Sequence, residues 1–114
     1  MSRKHHSHRI AKRSRALVFA ALGDETRLWL VAKLCGGQPF SISELTRGSR
    51  LTRQAITKHL RVLENAGIVH GVHAGRESRF EFDPEPMEEM MLYLDFVSKQ
   101  WDQALSRLKS FVES

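Results

Sequence analysis

Between residues 51 and 69, LTRQAITKHLRVLENAGIV, the apolar positions Ile56, Leu60 and Leu63 recur at the i, i+4, i+7 spacing of a helical stripe that faces a core. Arg53, Gln54, Thr57, Lys58 and Arg61 gather on the other side of the same predicted helix. Thr52 is a good N-cap for it, and Asn65-Ala66-Gly67 ends it with Gly67 in a left-handed position. The pattern upstream is also helical. A first helix is expected over roughly 14–22, and a second follows Asp24 as N-cap. In that second helix Leu28, Trp29, Val31, Ala32 and Leu34 supply a broad apolar face until Gly36-Gly37 stops it. Ser41-Ile42-Ser43-Glu44 fits a capping box that opens a short third helix ending near Gly48.

Gly48-Ser49-Arg50 then joins the third helix to the Arg53-bearing one, which predicts a helix-turn-helix. Ile68 to His73 and Ser78 to Phe82 read as two strands around Ala74-Gly75-Arg76-Glu77, a hairpin wing. Asp83-Pro84-Glu85-Pro86 breaks the second strand, and a long helix is expected from about Met87 to Val112. Along it Met87, Met90, Leu94, Val97, Trp101, Ala104, Leu108 and Phe111 alternate steps of three and four, a seam of about four heptads suited to lengthwise helix packing. Met91, Leu92, Phe96, Leu105 and Val112 widen the apolar face beyond that seam. One small core would struggle to cover it all. A homodimer is therefore expected, with Met87, Met90, Leu94, Val97, Trp101, Leu105, Leu108 and Phe111 at its interface.

The predicted fold is mostly α with a small β-hairpin wing: a winged helix-turn-helix with a helical dimer interface. At 114 residues and 41% hydrophobic content, the chain has the size of one folded domain. It divides into a basic flexible arm, 1–13, and the winged helix-turn-helix domain, 14–112, whose last helix serves dimerisation. No run of 18 apolar residues and no secretory signal pattern occurs, so no membrane partner and a cytoplasmic location are expected. A single cysteine, Cys35, allows no internal disulfide.

Charge changes the picture by where it lies. Residues 1–23 carry six Lys/Arg and no acid, residues 41–82 carry seven Lys/Arg against four Asp/Glu, and residues 83–114 carry three against seven. Positive charge therefore accumulates on the arm and on the helix-turn-helix segment, where release of counterions from double-stranded DNA would reward it. The acidic last third should face away from DNA. On this reading Arg53 and Gln54 reach base edges in the major groove, and Thr57 and Lys58 touch bases or backbone one turn later. Ser43, Arg50, Thr52, Arg61, Arg76 and Arg79 would mainly hold phosphates, the last two from the wing.

The element order, together with ALGDETRLWLVAKL, ITKHLRVLENAGIV and GRESRFEFDP, resembles the ArsR/SmtB family of bacterial repressors over about residues 15–112. Within it the chain is similar to regulators whose final helix carries a Trp and a KxLKxF-like ending, here Trp101 and Arg107-Leu108-Lys109-Ser110-Phe111. Members of that subgroup are often encoded beside a small lipid-pocket (SRPBCC-type) protein. The resemblance implies a dimeric repressor on a palindromic operator. It does not extend to the family's two familiar metal sites. Where arsenical sensors carry ELCVCDL, this chain reads Ser41-Ile42-Ser43-Glu44-Leu45, with serines in place of both thiolates that a soft metalloid needs. No histidine lies beyond His73 to build the zinc site of the last helix. No metal or other cofactor is expected.

The remaining polar candidates have plainer readings. His5, His6 and His8 are a metal chelator or a solvated cluster, equally a tag remnant. Cys35, after an apolar face, is a redox switch or a buried small hydrophobe, the latter expected. His59, on the flank of the core stripe, packs in the core, touches phosphate or reads a base. His70 and His73 belong to a half-exposed strand without chemical role. The aromatic and Met cluster of the last helix is dimer core or the lining of a site for an unidentified small-molecule effector. Two other functions stay open: a winged-helix protein-interaction module, and a zinc- or thiol-responsive repressor. An enzyme is not expected, because no carboxylate pair, nucleophile–base pair or phosphate-cradling glycine loop is present in a fitting context.

Overall fold

In the computed structural model, the described residues are 15–114. The basic arm 1–13, with His5, His6 and His8, lies outside them. Along the described residues come five helices and three strands, in the order α1 Arg15–Leu22, α2 Glu25–Leu34, β1 Phe40–Ser41, α3 Ile42–Arg47, α4 Arg53–Asn65, β2 Val69–Ala74, β3 Glu77–Phe82 and α5 Pro84–Glu113. Helices dominate and the sheet is a small antiparallel one, ordered β1-β3-β2.

Local signals set most of the boundaries. Asp24 caps α2 by accepting from the Arg27 backbone N–H at 3.0 Å. At α3 the capping box is complete: Glu44 N donates to Ser41 Oγ at 3.1 Å, and Ser41 N donates to Glu44 Oε1 at 2.9 Å. Thr52 caps α4 by accepting from Ala55 N at 3.1 Å. The exit of α4 is a Schellman motif, with Ile68 N donating to Leu63 O at 3.0 Å and Gly67 N to Glu64 O at 2.9 Å. Gly67 has φ +78°, a conformation in which a side chain would be strained. Leu63 and Ile68, brought together by this turn, are both fully buried.

The core gathers residues from almost every element. Val18 and Ala21 of α1, Leu30, Val31 and Leu34 of α2, Leu45 of α3, and Ile56, Leu60 and Leu63 of α4 close on Ile68, Val69 and Met90. The structure corrects the expected face of α2. Leu30 is fully buried, whereas Leu28 is 51% exposed and Ala32 is also exposed. Leu30, Val31 and Leu34 form one narrow stripe, and Leu28 and Ala32, four apart, fall on the opposite side of the helix. Cys35, expected to be buried, is exposed, because it lies at the helix C-cap past the end of that stripe.

Further differences concern the sheet and the last helix. The hairpin pairs Val69↔Phe82 through Ala74↔Glu77, leaving Gly75-Arg76 as a two-residue turn. Gly75 has φ +68° while Arg76 does not have positive φ, the type II′ pattern that suits the twist of a hairpin. A third strand, β1, was not expected; it pairs Phe40↔Phe80 and Ser41↔Arg79. Finally α5 starts at Pro84 rather than near Met87, since Asp83 caps it by accepting from Glu85 N at 3.0 Å and proline is tolerated in the first turn. Met90 is 3% exposed, so it is interior to the protomer rather than part of a dimer seam, and Met87, half-buried, packs beside it against the same core. Of the first two turns of α5, Pro86 and Met90 are buried, while Pro84, Glu85, Glu88 and Met91 stay exposed.

Two outcomes test this account. Leu60→Ala should cost about 2–5 kcal/mol in denaturant unfolding, the range for a large-to-small change in a closed core. The carboxyls of Asp24 and Glu44 are both held below their ordinary values of 3.8 and 4.5. For Asp24 the main cause is the Arg27 backbone N–H, with the Arg27 charge assisting; for Glu44 it is the Ser41 backbone N–H, then the Ser41 hydroxyl and Arg79. Depressed values stabilise the fold above the ordinary carboxyl range, and that contribution is lost as pH falls from the ordinary values through the lower folded ones. Melting temperature followed from pH 6 downward should therefore fall less steeply for an Asp24→Asn, Glu44→Gln double variant than for the wild type, with the curves converging at low pH.

Candidate nucleic-acid interface

The solvent face of α4 is built by the same periodicity that builds the core. With Ile56, Leu60 and Leu63 pinned inward, Arg53, Thr57 and Arg61 form one i, i+4, i+8 row on the outside, and Gln54 and Lys58 form the next. Arg53, Gln54, Lys58 and Arg61 are exposed, and Thr57 is half-buried. Thr52, Arg53, Gln54, Ala55, Thr57 and Lys58 line an open, shallow groove along this face. Three cations and an amide on one convex helix face are the side chains that bond base edges and phosphates in a major groove.

Several of these side chains are already engaged. Arg53 Nη1 donates to Ser43 Oγ at 2.8 Å, so the guanidinium is held over the N-terminal turn of α3. The Thr57 hydroxyl donates to the Arg53 carbonyl at 2.8 Å, so its proton is engaged and its oxygen is left as an acceptor. Thr52 Oγ1 serves as the α4 cap while staying exposed. Arg50 is exposed in the turn between α3 and α4, and Arg76 is exposed at the hairpin tip beside Gly75.

Arg79 is placed differently from Arg76. Its guanidinium lies 3.1 Å from Glu77 Oε2 and 3.7 Å from Glu44 Oε1. It therefore braces the wing against the α3 capping box instead of projecting alone. Sequence reading missed this contact because it depends on β1, a two-residue strand too short to show a period; the pairing Ser41↔Arg79 sets the arginine beside the box. Of the histidines, His70 Nε2 sits 2.8 Å from Glu81 Oε1 across the hairpin, and His73 is exposed. His59 packs at the flank of the α4 stripe, half-buried, with Nδ1 3.1 Å from Arg27 Nη1. Among the described residues no cluster of His, Cys, Asp and Glu is arranged to hold a metal ion. Nor, among them, is any helix long and apolar enough to cross a membrane.

Known proteins share this arrangement. A family model described as a helix-turn-helix domain matches residues 22–72, the span from the end of α1 into β2. The HTH-type transcriptional regulator Rv2034 of Mycobacterium tuberculosis is 31% identical over 102 residues, 90% of this chain and 92% of the relative. The Bacillus subtilis HTH-type transcriptional regulator YuzN is 36% identical over 80 residues, 65% of this chain and 87% of the relative. Among solved structures, an ArsR-like transcriptional regulator from Rhodococcus sp. RHA1 superposes with a TM-score of 0.81 at 36% identity, covering 90% of this chain and 93% of the other. The homodimeric winged helix-turn-helix domain of Mb0332 from Mycobacterium bovis shares the fold at a TM-score of 0.62 and 17% identity, over 77% of this chain and 81% of that one. Agreement in fold and sequence along nearly the whole described chain gives the assignment: this protein belongs to the ArsR family of winged helix-turn-helix transcriptional regulators, which bind double-stranded DNA and are not enzymes.

Proposed function

We propose that the protein is a homodimeric repressor whose two α4 helices enter successive major grooves of a palindromic operator. The observation that carries this reading is the outward row pair of α4, cationic and amide-bearing, on a helix fixed to the core by its opposite face. Arg53 and Gln54, in the first turn of α4, read base edges, with guanine and adenine their natural partners. Thr57 and Lys58 contact bases or backbone one turn later. Ser43, Arg50, Thr52 and Arg61 hold phosphates around the groove, and Arg76 reaches the backbone or minor groove from the wing tip. Arg79 contributes by bracing the wing.

Dimerisation is supported by the far half of α5. Leu94, Trp101, Leu105, Leu108 and Phe111 are each more than half exposed, and Val97 is half-buried along the same seam. A stripe this long on a single helix matches a self-complementary, two-fold packing surface. It also continues without a slip from Met90, whose packing fixes the helix on the protomer. The described homodimer of the M. bovis relative has the same fold, which favours the same assembly here. Two α4 helices related by a two-fold axis would then read half-sites about 34 Å apart, one turn of DNA.

Binding to the DNA upstream of the coding region, measured by fluorescence anisotropy against a scrambled duplex in a salt series, should favour the upstream DNA by at least about 10³-fold. Gln54→Ala should cost about 1–3 kcal/mol on the specific duplex alone, while Arg76→Ala should weaken both duplexes alike and flatten the salt slope. Equal losses on both duplexes for Gln54→Ala would remove the base-reading role. For the assembly, Trp101→Glu should leave the circular dichroism spectrum unchanged, since the residue is 64% exposed in the protomer, yet sediment as a monomer. A Trp101→Glu protein that stays dimeric would show that the seam is not the interface.

A further inference from the structure

One side chain outside the groove ties three helices together. Arg27, in the first turn of α2, donates through Nε to the carbonyl of Ala21 in the last turn of α1, at 2.6 Å. Its Nη1 lies 3.1 Å from Nδ1 of His59, in the middle of α4. Its own backbone N–H is capped by Asp24, whose Oδ2 also stands 3.7 Å from His59 Nδ1. A guanidinium has donors only, so Nδ1 is the acceptor and the imidazole carries its proton on Nε2. The contact is directional and charge-assisted, which makes it stronger and more orienting than the apolar packing around it.

The position of His59 on the helix gives this contact a consequence. Ile56, Leu60 and Leu63 bury one stripe of α4, and because apolar burial is non-directional it does not by itself fix small rotations about the helix axis. Arg53 and His59 flank that stripe on its two edges. Each makes one hydrogen bond to a different helix, Arg53 to Ser43 of α3 and His59 to Arg27 of α2. The two bonds act as stops on either side. Once Arg53 turns to DNA, the Ser43 stop is given up and the Arg27–His59 contact remains. A rotation of about 10° would move a side-chain tip roughly 6 Å from the axis by about 1 Å. That exceeds the tolerance of a positioned polar contact.

We propose that Arg27 is a positioning residue for DNA recognition, acting through Nδ1 of His59 to fix the rotation of α4 in the groove. The inference rests on α4 being the helix that contacts bases. Arg27 and His59 touch no DNA in this scheme; they determine where Arg53 and Gln54 point.

The test uses the position of the acceptor. The full-length protein is first used to select a duplex from a randomised pool, and affinity is then measured on that duplex and on a scrambled one, alongside melting temperature. In His59→Asn the amide oxygen falls at the place of Nδ1, whereas His59→Leu offers no acceptor. Arg27→Lys keeps the charge but lacks the planar fork whose Nε and Nη1 aim at Ala21 and His59. The His59→Leu and Arg27→Lys variants should lose about ten-fold in the ratio of selected to scrambled affinity, the scale of one charge-assisted hydrogen bond, with scrambled affinity within about two-fold of wild type. The His59→Asn variant should keep the wild-type ratio even where its melting temperature drops as far as that of His59→Leu. A ratio that follows melting temperature across the variants, or that does not change in a folded His59→Leu or Arg27→Lys protein, overturns the positioning role. Failure of the wild type to select any duplex removes base recognition by α4, and the inference with it.

Discussion

Burial of Ile56, Leu60 and Leu63 against α1, α2 and β2 is the constraint from which the rest of the structure follows. Because these three lie on one stripe, their burial selects which face of the helix turns inward, and so turns Arg53, Gln54, Lys58 and Arg61 outward, while small rotations about the axis are left to the polar contacts on either side. Each fully buried aliphatic side chain is worth about 1.5–3 kcal/mol relative to exposure, so rotating the stripe out would cost several times the value of any single surface hydrogen bond. The core contact and the presentation of the outward cationic and amide side chains are therefore one event. The Schellman turn at Gly67 then carries the chain directly from Leu63 to Ile68 and into β2, so that the wing starts from the same buried point.

Polar contacts supply the directionality that apolar packing lacks. Ser41 occupies three roles at once: it pairs with Arg79 in β1, caps α3, and donates its N–H to Glu44. Glu44 in turn faces Arg79 of the wing strand. A wing that would otherwise be a two-stranded hairpin, marginal by itself, is thus joined to the helix-turn-helix through a third strand and an ion pair. The ion pair is partly exposed and adds little to stability by itself. Its contribution is geometric, since it sets the base of the hairpin whose tip carries Arg76. On the other side of α4, Asp24, Arg27 and His59 form the comparable frame.

The last helix joins two environments. Pro86 and Met90 are buried in the protomer, and Met87 packs beside them, while beyond Leu94 most side chains are open to solvent. Tyr93 marks the transition: Phe19 of α1 meets it edge-on at 6.1 Å, and the Arg15 guanidinium lies 4.4 Å over its ring. The seam that looks uniform in sequence is divided by where the protomer core ends. Its first part holds α5 to its own chain, and the remainder forms the exposed apolar stripe. The acidic bias of this helix agrees with the same division, since residues 83–114 carry three Lys/Arg against seven Asp/Glu, whereas residues 41–82 carry seven against four.

The periodic elements were legible from the residues alone. The α4 stripe, its caps, the capping box at Ser41, the Gly67 exit and the hairpin around Gly75 are encoded within a few residues, because caps, turns and helical periodicity are local interactions. The candidate DNA-facing residues were legible for the same reason: they are what remains of α4 once its buried stripe is identified. Partners distant in sequence were not. Arg27 and His59 are 32 positions apart, and the brace of Arg79 needs a strand of two residues whose pairing exists only once the chain has folded. The inward Leu30 and outward Leu28 of α2, and the inward Met90 of α5, were decided by the rotation of each helix against its neighbours. Sequence by itself determined which segments become helices, which end in turns, and which face of α4 is polar. Tertiary structure decided which apolar residues share the core and which charges meet, because those depend on distances between elements that no local interaction sets.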